Sequence, residues 1–207
     1  MKRLMILTLA FAFAGCSDFV DEDGNTSIRQ FAEGMQSLGD RVAELGEAIE
    51  RDADIEAVPW ERLMETVPQK VGRANLLERD GDDARDRNGA GLSMATGRYE
   101  VQGDSMFVGV ADLGALRSGA RLALRWVAPL FDRGDIDGDI EELEVEGYPA
   151  IRIRDEDDGD LLVAVLVEGR FAVVAGGPGT AGDDFVWEAL EEVDYRQLRR
   201  WVDYGEN

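Results

Sequence analysis

Apolar and polar residues follow one another along this chain with periods that predict both helices and strands. Between residues 27 and 52, apolar residues recur at alternating steps of three and four, as on one face of an α-helix. The same period predicts a short helix over 57–67 and a long amphipathic helix over 113–131. Helical spacing returns over 183–192 and 195–204 near the end of the chain. The pattern therefore predicts five helical segments.

Short runs rich in valine and isoleucine predict β-strands between the helices. One strand is predicted over 74–79, followed by an acidic turn over 80–86, and two more lie within 98–111 with their turn at Gly103-Asp104. Four further strands are predicted over 141–146, 150–154, 161–167 and 171–175. Turn residues separate these four at Gly147-Tyr148-Pro149, Asp157-Asp158-Gly159 and Glu168-Gly169.

The predicted fold class is α+β. We expect an antiparallel meander with the long amphipathic helix and the C-terminal helices packed on one face, preceded by the N-terminal helix. The expected divisions are a signal peptide at 1–15, a flexible acidic tether at 16–26, a heptad-like helix at 27–52 and a globular domain at 55–207.

The N-terminal residues have the features of an export signal. Lys2 and Arg3 precede the apolar run Leu4–Phe13, and the small residues Ala14 and Gly15 lead to Cys16. The run is shorter than the roughly 20 apolar residues that span a bilayer. The junction resembles a bacterial lipobox, although Phe13 stands where that pattern prefers an aliphatic residue. The resemblance implies cleavage before Cys16, a diacylglyceryl thioether on its sulfur and an acyl group such as palmitate on its nitrogen.

Location follows from this resemblance. We expect a lipoprotein anchored through Cys16 on the extracytoplasmic side of a membrane, in the periplasm or at the cell surface. A plain secretory signal and a retained anchor helix are the alternatives for the same residues. The heptad-like helix either packs against the chain's own domain or forms a short helical stalk, and self-association through residues 28–49 is the alternative.

Composition excludes several classes of function. The chain carries 44 acidic and 22 basic residues, and a net charge of −22 opposes binding to nucleic acid, which requires cationic side chains around phosphates. It has no histidine, and its one cysteine is Cys16. Catalysis by Ser-His-Asp or Cys-His groups is therefore excluded, as are metal sites built on imidazole. We predict no catalytic residue, no cofactor, no metal site and no intrachain disulfide.

Four residue patterns that could form binding sites were weighed, and a structural explanation is favoured for each. Asp135, Asp137 and Asp139 with Glu146 partly match a calcium loop, but the glycine required at the sixth position is missing. Gly177, Gly179 and Gly182 match G-x-G-x-x-G, but Asp183 and Asp184 follow where a pyrophosphate would bind. The other two patterns are the arginines 117, 121 and 125, expected to be exposed, and the tryptophans and tyrosines, expected in the core.

Short segments of the domain loosely resemble uncharacterised bacterial envelope lipoproteins: Val58-Pro59-Trp60, Val67-Pro68, Arg98-Tyr99, residues 146–150 and residues 169–173. The resemblance implies a fold and no activity. The expected function is a non-catalytic module that binds an envelope protein or a small ligand. The alternatives are a structural lipoprotein that self-associates through 28–49 and a hydrolase that uses a pair of carboxylates.

The acidic composition also predicts a response to salt. Lysine occurs only at Lys2 and Lys70, and such lysine-poor acidic chains are similar to proteins of salt-loving organisms; a GC-rich genome is the alternative explanation. Because salt screens repulsion between carboxylates, we expect the melting temperature to rise from tens of millimolar to molar sodium chloride. A flat or falling melting temperature, measured by circular dichroism, would contradict the halophilic interpretation.

Overall fold

The computed structural model describes residues 55–85, 91–114, 138–155 and 159–206. The signal peptide, the tether, the helix at 27–52 and nearly all of the helix predicted over 113–131 lie outside these residues. The described helices are α1 (Trp60–Leu63), followed by a 3-10 helix (Met64–Thr66), α2 (Gly179–Glu192) and α3 (Tyr195–Arg200). The strands are β1 (Lys70–Val71), β2 (Ala74–Arg85), β3 (Gly91–Val101), β4 (Asp104–Asp112), β5 (Gly138–Val145), β6 (Tyr148–Asp155), β7 (Leu161–Val167) and β8 (Phe171–Gly177).

The eight strands form one antiparallel sheet in the order β1-β2-β3-β4-β8-β7-β6-β5. Each half of the sheet is a meander of four consecutive strands. The two meanders meet where β4 pairs with β8, from Phe107 opposite Gly176 to Asp112 opposite Phe171. The described part of the chain is therefore mostly β, with a few short helices, and it fits an α+β class in the broad sense. The meander predicted from residues 141–175 is confirmed as the second half of the sheet.

Tight turns set the register of three hairpins. Gln102 and Glu146 have positive φ angles of 56° and 53°, and the glycine after each is also positive, which defines type I′ turns. Glu168 and Gly169 share this conformation in front of β8. The turn predicted at Gly103-Asp104 is shifted by one residue, because Asp104 already pairs with Val101. The turn predicted at 147–149 lies at Glu146-Gly147, and Pro149 belongs to β6.

Two further sequence predictions were wrong. The helix predicted over 57–67 is reduced to α1 and the 3-10 helix, because Pro59 precedes its first turn and Pro68 follows closely. The acidic turn predicted over 80–86 is instead the second half of β2, which pairs with β3 as far as Arg85. An edge strand with one solvated face tolerates a run of aspartates, so acidity did not indicate a turn.

The main core lies on one face of the sheet, which we call the first face. Val108, Val163 and Val173 point to it, and α2 contributes Phe185 and Leu190. The C-terminal helices therefore pack on one face, as predicted. Asp183, the predicted start of the fourth helix, lies inside α2, which begins at Gly179. Asp194 caps α3 by accepting a hydrogen bond from the Gln197 N–H at 2.9 Å.

Close packing on the first face requires a glycine at position 81. A Cβ atom at this position would lie 2.6 Å from Trp60 Cδ2 and 2.8 Å from the Met94 carbonyl oxygen. We expect Gly81→Ala to lower the free energy of unfolding by about 1–3 kcal/mol, because the ring and the backbone cannot both move away. Urea denaturation measures the change. Leu77→Ala, at an exposed position of the same strand, is the control and is expected to stay within about 0.5 kcal/mol of the parent. An unchanged midpoint for Gly81→Ala would contradict this packing.

Candidate functional site

The most concentrated polar arrangement among the described residues is a buried ion pair. Arg170 precedes β8 and Asp112 ends β4, and both side chains are 0% exposed. The guanidinium binds the carboxylate in a bidentate geometry: Nε donates to Oδ1 at 2.8 Å and Nη2 donates to Oδ2 at 2.8 Å. Such planar pairing is the strongest form of charged hydrogen bond in proteins. The pairing of β4 with β8 brings the two residues together at one end of the sheet.

The remaining donors of Arg170 bind the two terminal segments of the described chain. Its Nη1 atom donates to the carbonyls of Val202 and Tyr204 at 2.9 and 2.7 Å, and its Nη2 atom donates to the carbonyl of Glu56 at 3.0 Å. Together with the two bonds to Asp112, these contacts use all five N–H donors of an arginine. Arg170 therefore joins the centre of the sheet to residues before α1 and after α3.

Both carboxylate oxygens of Asp112 also accept hydrogen bonds within the fold. Besides the two bonds from Arg170, Oδ2 accepts the Val58 N–H at 2.8 Å and Oδ1 accepts the Gly114 N–H at 2.9 Å. A carboxylate that accepts four hydrogen bonds in a dry site has no acceptor position left for a ligand. The arrangement is therefore suited to holding chain segments together. As it stands, it offers neither a free donor nor a free acceptor for binding or catalysis.

Neighbouring contacts complete this end of the sheet. The Ser93 hydroxyl donates to the Val58 carbonyl at 2.5 Å, and the Leu113 N–H donates to the Arg170 carbonyl at 2.9 Å. Gly205 passes so close to Glu56 that a Cβ atom would lie 2.6 Å from the Glu56 carbonyl oxygen. The Glu56 N–H also donates to the Gly205 carbonyl at 3.4 Å. The two terminal segments thus lie side by side over the ion pair.

Sequence reasoning did not find this pair. Arg170 lies in one of the segments used for the resemblance, residues 169–173, but no role was assigned to it. Asp112 looked like one more residue of an acidic chain. No local signal marked the arginine as buried, because a side chain next to a predicted turn is ordinarily exposed. Its partner, 58 residues away, depends on the pairing of β4 with β8.

The glycine-rich segment at 177–182 has a packing role. A Cβ atom at Gly177 would collide with Met106, and Gly179 adopts a φ angle of 56° at the start of α2. The Gly179 N–H donates to Asp160 Oδ1 at 3.2 Å, so a carboxylate already occupies the position of a phosphate. Nearby, the Nη2 atom of Arg154 donates to both carboxylate oxygens of Asp183 at 2.8 Å. These contacts use the described polar groups of the segment within the fold.

The described part of the partial calcium loop is extended. Residues 138–145 form the extended strand β5, which separates Asp139 from Glu146 by seven residues, or about 23 Å. A calcium loop must instead curl around its ion within 12 residues. Among the residues that the structure describes, no group of three or more acidic, histidine or cysteine residues is placed to hold a metal ion.

The aromatic residues are largely in the core, as expected. Tyr99 is 0% exposed, and Tyr195 and Trp201 are also buried. Burial raises the pKa of the Tyr99 hydroxyl, which donates to the Pro68 carbonyl at 2.5 Å. Tyr195 stacks on Tyr148 with a ring separation of 5.8 Å, and burial raises the pKa of its hydroxyl as well. An aromatic surface for carbohydrate is therefore not supported by these residues. Trp126 lies outside the described residues.

Cys16 and the arginines 117, 121 and 125 also lie outside the described residues, and so do Asp135 and Asp137. Within the described ranges, no helix is both long and apolar enough to cross a membrane. The comparisons with known proteins add nothing to this picture: no family model, no curated protein and no solved structure matches the chain.

The ion pair generates a stability prediction. We expect Asp112→Ala to cost about 3–5 kcal/mol in the free energy of unfolding, because it leaves a buried guanidinium without its counter-charge. The double variant Asp112→Leu with Arg170→Met should lose less than the two single changes together, because neither charge remains buried alone. Chemical denaturation of each protein measures these losses.

The control for this experiment is Arg98→Met. Arg98 pairs with Glu78 on the surface, where both side chains are about half exposed, and its loss should cost at most about 1 kcal/mol. Strictly additive losses at Asp112 and Arg170 would contradict the coupling described above.

Proposed function

We propose that this chain is a lipoprotein, held through lipid on Cys16 on the extracytoplasmic side of a membrane, and that its folded domain is a non-catalytic binding module. The observation that carries the proposal is the N-terminal sequence. A basic start, ten apolar residues and Ala14-Gly15 lead directly to the one cysteine of 207 residues. Three acyl chains would provide stable anchoring, since each buried methylene contributes about 0.8 kcal/mol.

The contacts of Glu56 support a tethered arrangement. Its carbonyl accepts a hydrogen bond from Arg170, and its N–H donates to the Gly205 carbonyl. A segment that leads from the lipid to residue 55 would therefore join the domain at the buried ion pair. Any pull through the tether would act first on this strongly bonded part of the fold and not on an isolated strand.

The buried polar groups of the domain hold the fold together, which argues against a catalytic role for them. Arg170 and Asp112 use their donors and acceptors within the fold, and Asp160 accepts the N–H that begins α2. A hydrolase that uses two carboxylates needs both of them in one cleft, roughly 5–10 Å apart. Asp112, the most buried carboxylate among the described residues, is neutralised by its arginine and is unsuited to that role. The lack of histidine removes the commonest general base.

We also propose that the two helices predicted outside the described residues complete the protein. The long amphipathic helix over 113–131 belongs to the α+β domain, and the helix over 27–52 packs against that domain or forms a short stalk. Self-association through 28–49 is the alternative for the second helix. It predicts a mass that rises with concentration in light scattering of the Cys16→Ser protein, whereas the favoured arrangement predicts a constant monomer mass.

Anchoring is tested by Cys16→Ser in the native host. We expect the parent protein to sediment with membranes after a high-salt wash and to incorporate labelled palmitate. The variant should do neither, because a hydroxyl cannot accept the thioether-linked lipid. Ser17→Ala, which leaves Cys16 in place, is the control and should behave like the parent. If the Cys16→Ser protein still sedimented with washed membranes, the proposed lipid anchor would be wrong.

A further inference from the structure

Two aromatic rings near the end of the chain contact the same guanidinium group. The Cζ atom of Arg62 lies 5.1 Å from the centroid of the Trp201 ring and 5.3 Å from the centroid of the Tyr204 ring. Both distances fall within the range of about 6 Å in which the face of an aromatic ring attracts a cation. We call the two rings of Trp201 and Tyr204 the ring clamp.

The backbone that carries the ring clamp is held by contacts that do not involve Arg62. The two residues belong to one turn, in which the Tyr204 N–H donates to the Trp201 carbonyl at 2.9 Å. The Nη1 atom of Arg170 donates to the Val202 and Tyr204 carbonyls at 2.9 and 2.7 Å, so the buried ion pair also fixes this turn. A binding site that is held in place before its ligand arrives loses less entropy on binding.

The guanidinium of Arg62 is not used in an ion pair of the fold. The ion pairs found among the described residues are made by Arg98, Arg152, Arg154 and Arg170. In a chain with 44 acidic residues, the exposed Arg62 thus lies against two rings instead of a carboxylate. A guanidinium is planar and more weakly hydrated than an ammonium group, which suits it to stacking on aromatic rings. The position of Arg62 therefore indicates the ligand chemistry that fits the ring clamp.

The chain around the ring clamp is acidic. Glu61 and Glu65 lie close to Arg62 in sequence, and Asp203 and Glu206 belong to the terminal segment that carries the two rings. All four acidic residues are exposed. Their carboxylates add to a negative potential that raises the local concentration of cations. Two rings alone would also accept a neutral apolar group, so this charge favours a cationic ligand.

We infer that the ring clamp is a binding site for the guanidinium group of a ligand or partner, and that Arg62 occupies this site in the free protein. The inference rests on the binding role proposed above and names the chemistry of the ligand, and it is independent of the lipid on Cys16. Because Arg62 is attached to the domain, it competes with the incoming group at a high effective concentration. Arg62 therefore lowers the affinity of the site for its ligand.

The inference is tested by titrating methylguanidinium into the full-length Cys16→Ser protein, the parent here, and following the indole N–H signals by NMR. Trp201→Phe identifies the signal of Trp201. We expect Arg62→Ala to bind methylguanidinium at least about fivefold more tightly than the parent, because the competing group is gone. Arg98→Ala is the matched control: it removes the same charge from a surface ion pair with Glu78 and should bind as the parent does.

The rings and the charge are tested separately. In the Arg62→Ala background, Tyr204→Phe keeps the second ring and should hold the affinity within about twofold, whereas Tyr204→Leu should weaken binding at least about fivefold. Methylurea, which has nearly the same shape without the charge, should leave the Trp201 signal in place. Unchanged amide signals of β4 and β8 show that each variant is folded. Should Arg62→Ala fail to fold, Arg62→Gln keeps most of the side-chain stem and should show the same gain in affinity.

Two results would overturn the inference while leaving the proposed lipid anchor intact. One is equal affinity of the parent and Arg62→Ala, or no shift of the Trp201 signal in either protein. The other is a response to methylurea equal to that with methylguanidinium, which would show an apolar contact only.

The source of the guanidinium is distinguished with the peptide acetyl-Gly-Arg-Gly-amide. Tighter binding of this peptide than of methylguanidinium to the Arg62→Ala protein supports an arginine side chain of a partner protein as the ligand. Equal binding supports a small guanidinium compound. Weaker binding of the peptide to Arg62→Ala than to the parent would contradict competition by Arg62.

Discussion

The described structure depends on one buried ion pair between Arg170 and Asp112. Two opposite charges in a dry site are stabilising only when their hydrogen bonds are also satisfied, and here all five donors of the arginine have acceptors. The acceptors come from both ends of the described chain and from the central strand β4. The pair therefore fixes the relative positions of segments that share few other polar contacts. Replacing it with apolar groups would preserve burial but not this directional bonding.

The rest of the fold can be understood as two meanders joined beside this pair. Each meander forms from local hairpins, whose turns are set by residues with positive φ such as Glu146 and Gly147. The contact between β4 and β8 is not local, and it is where Asp112 and Arg170 meet. The strand β2 carries repeated carboxylates beyond the two residues that pair with β1, and β5 carries them along the opposite edge of the sheet. These charges disfavour pairing with a further strand.

The same distribution of charge bears on the proposed role. The negative charge of the chain opposes attraction to anionic lipid, so the proposed membrane association is assigned to lipid on Cys16 and not to the domain surface. The domain would then remain in solvent near the membrane, joined at Glu56 to its most strongly bonded region. Its ligand or partner would meet an acidic surface, which favours a basic or neutral binding partner.

The sequence alone determined the acidic composition, the second meander and the C-terminal helices, and it predicts the export signal on which the proposed function rests. These features follow from local patterns. The apolar runs at 161–167 and 171–175, like the caps and turns, can be predicted because each depends on neighbouring residues. The tertiary structure decided what depends on distant residues. It showed that 80–85 continues a strand, that eight strands form one sheet, and that Arg170 finds Asp112 across 58 positions. Such pairing cannot be predicted from sequence, because the residues around one aspartate of 44 acidic residues do not indicate that it is buried.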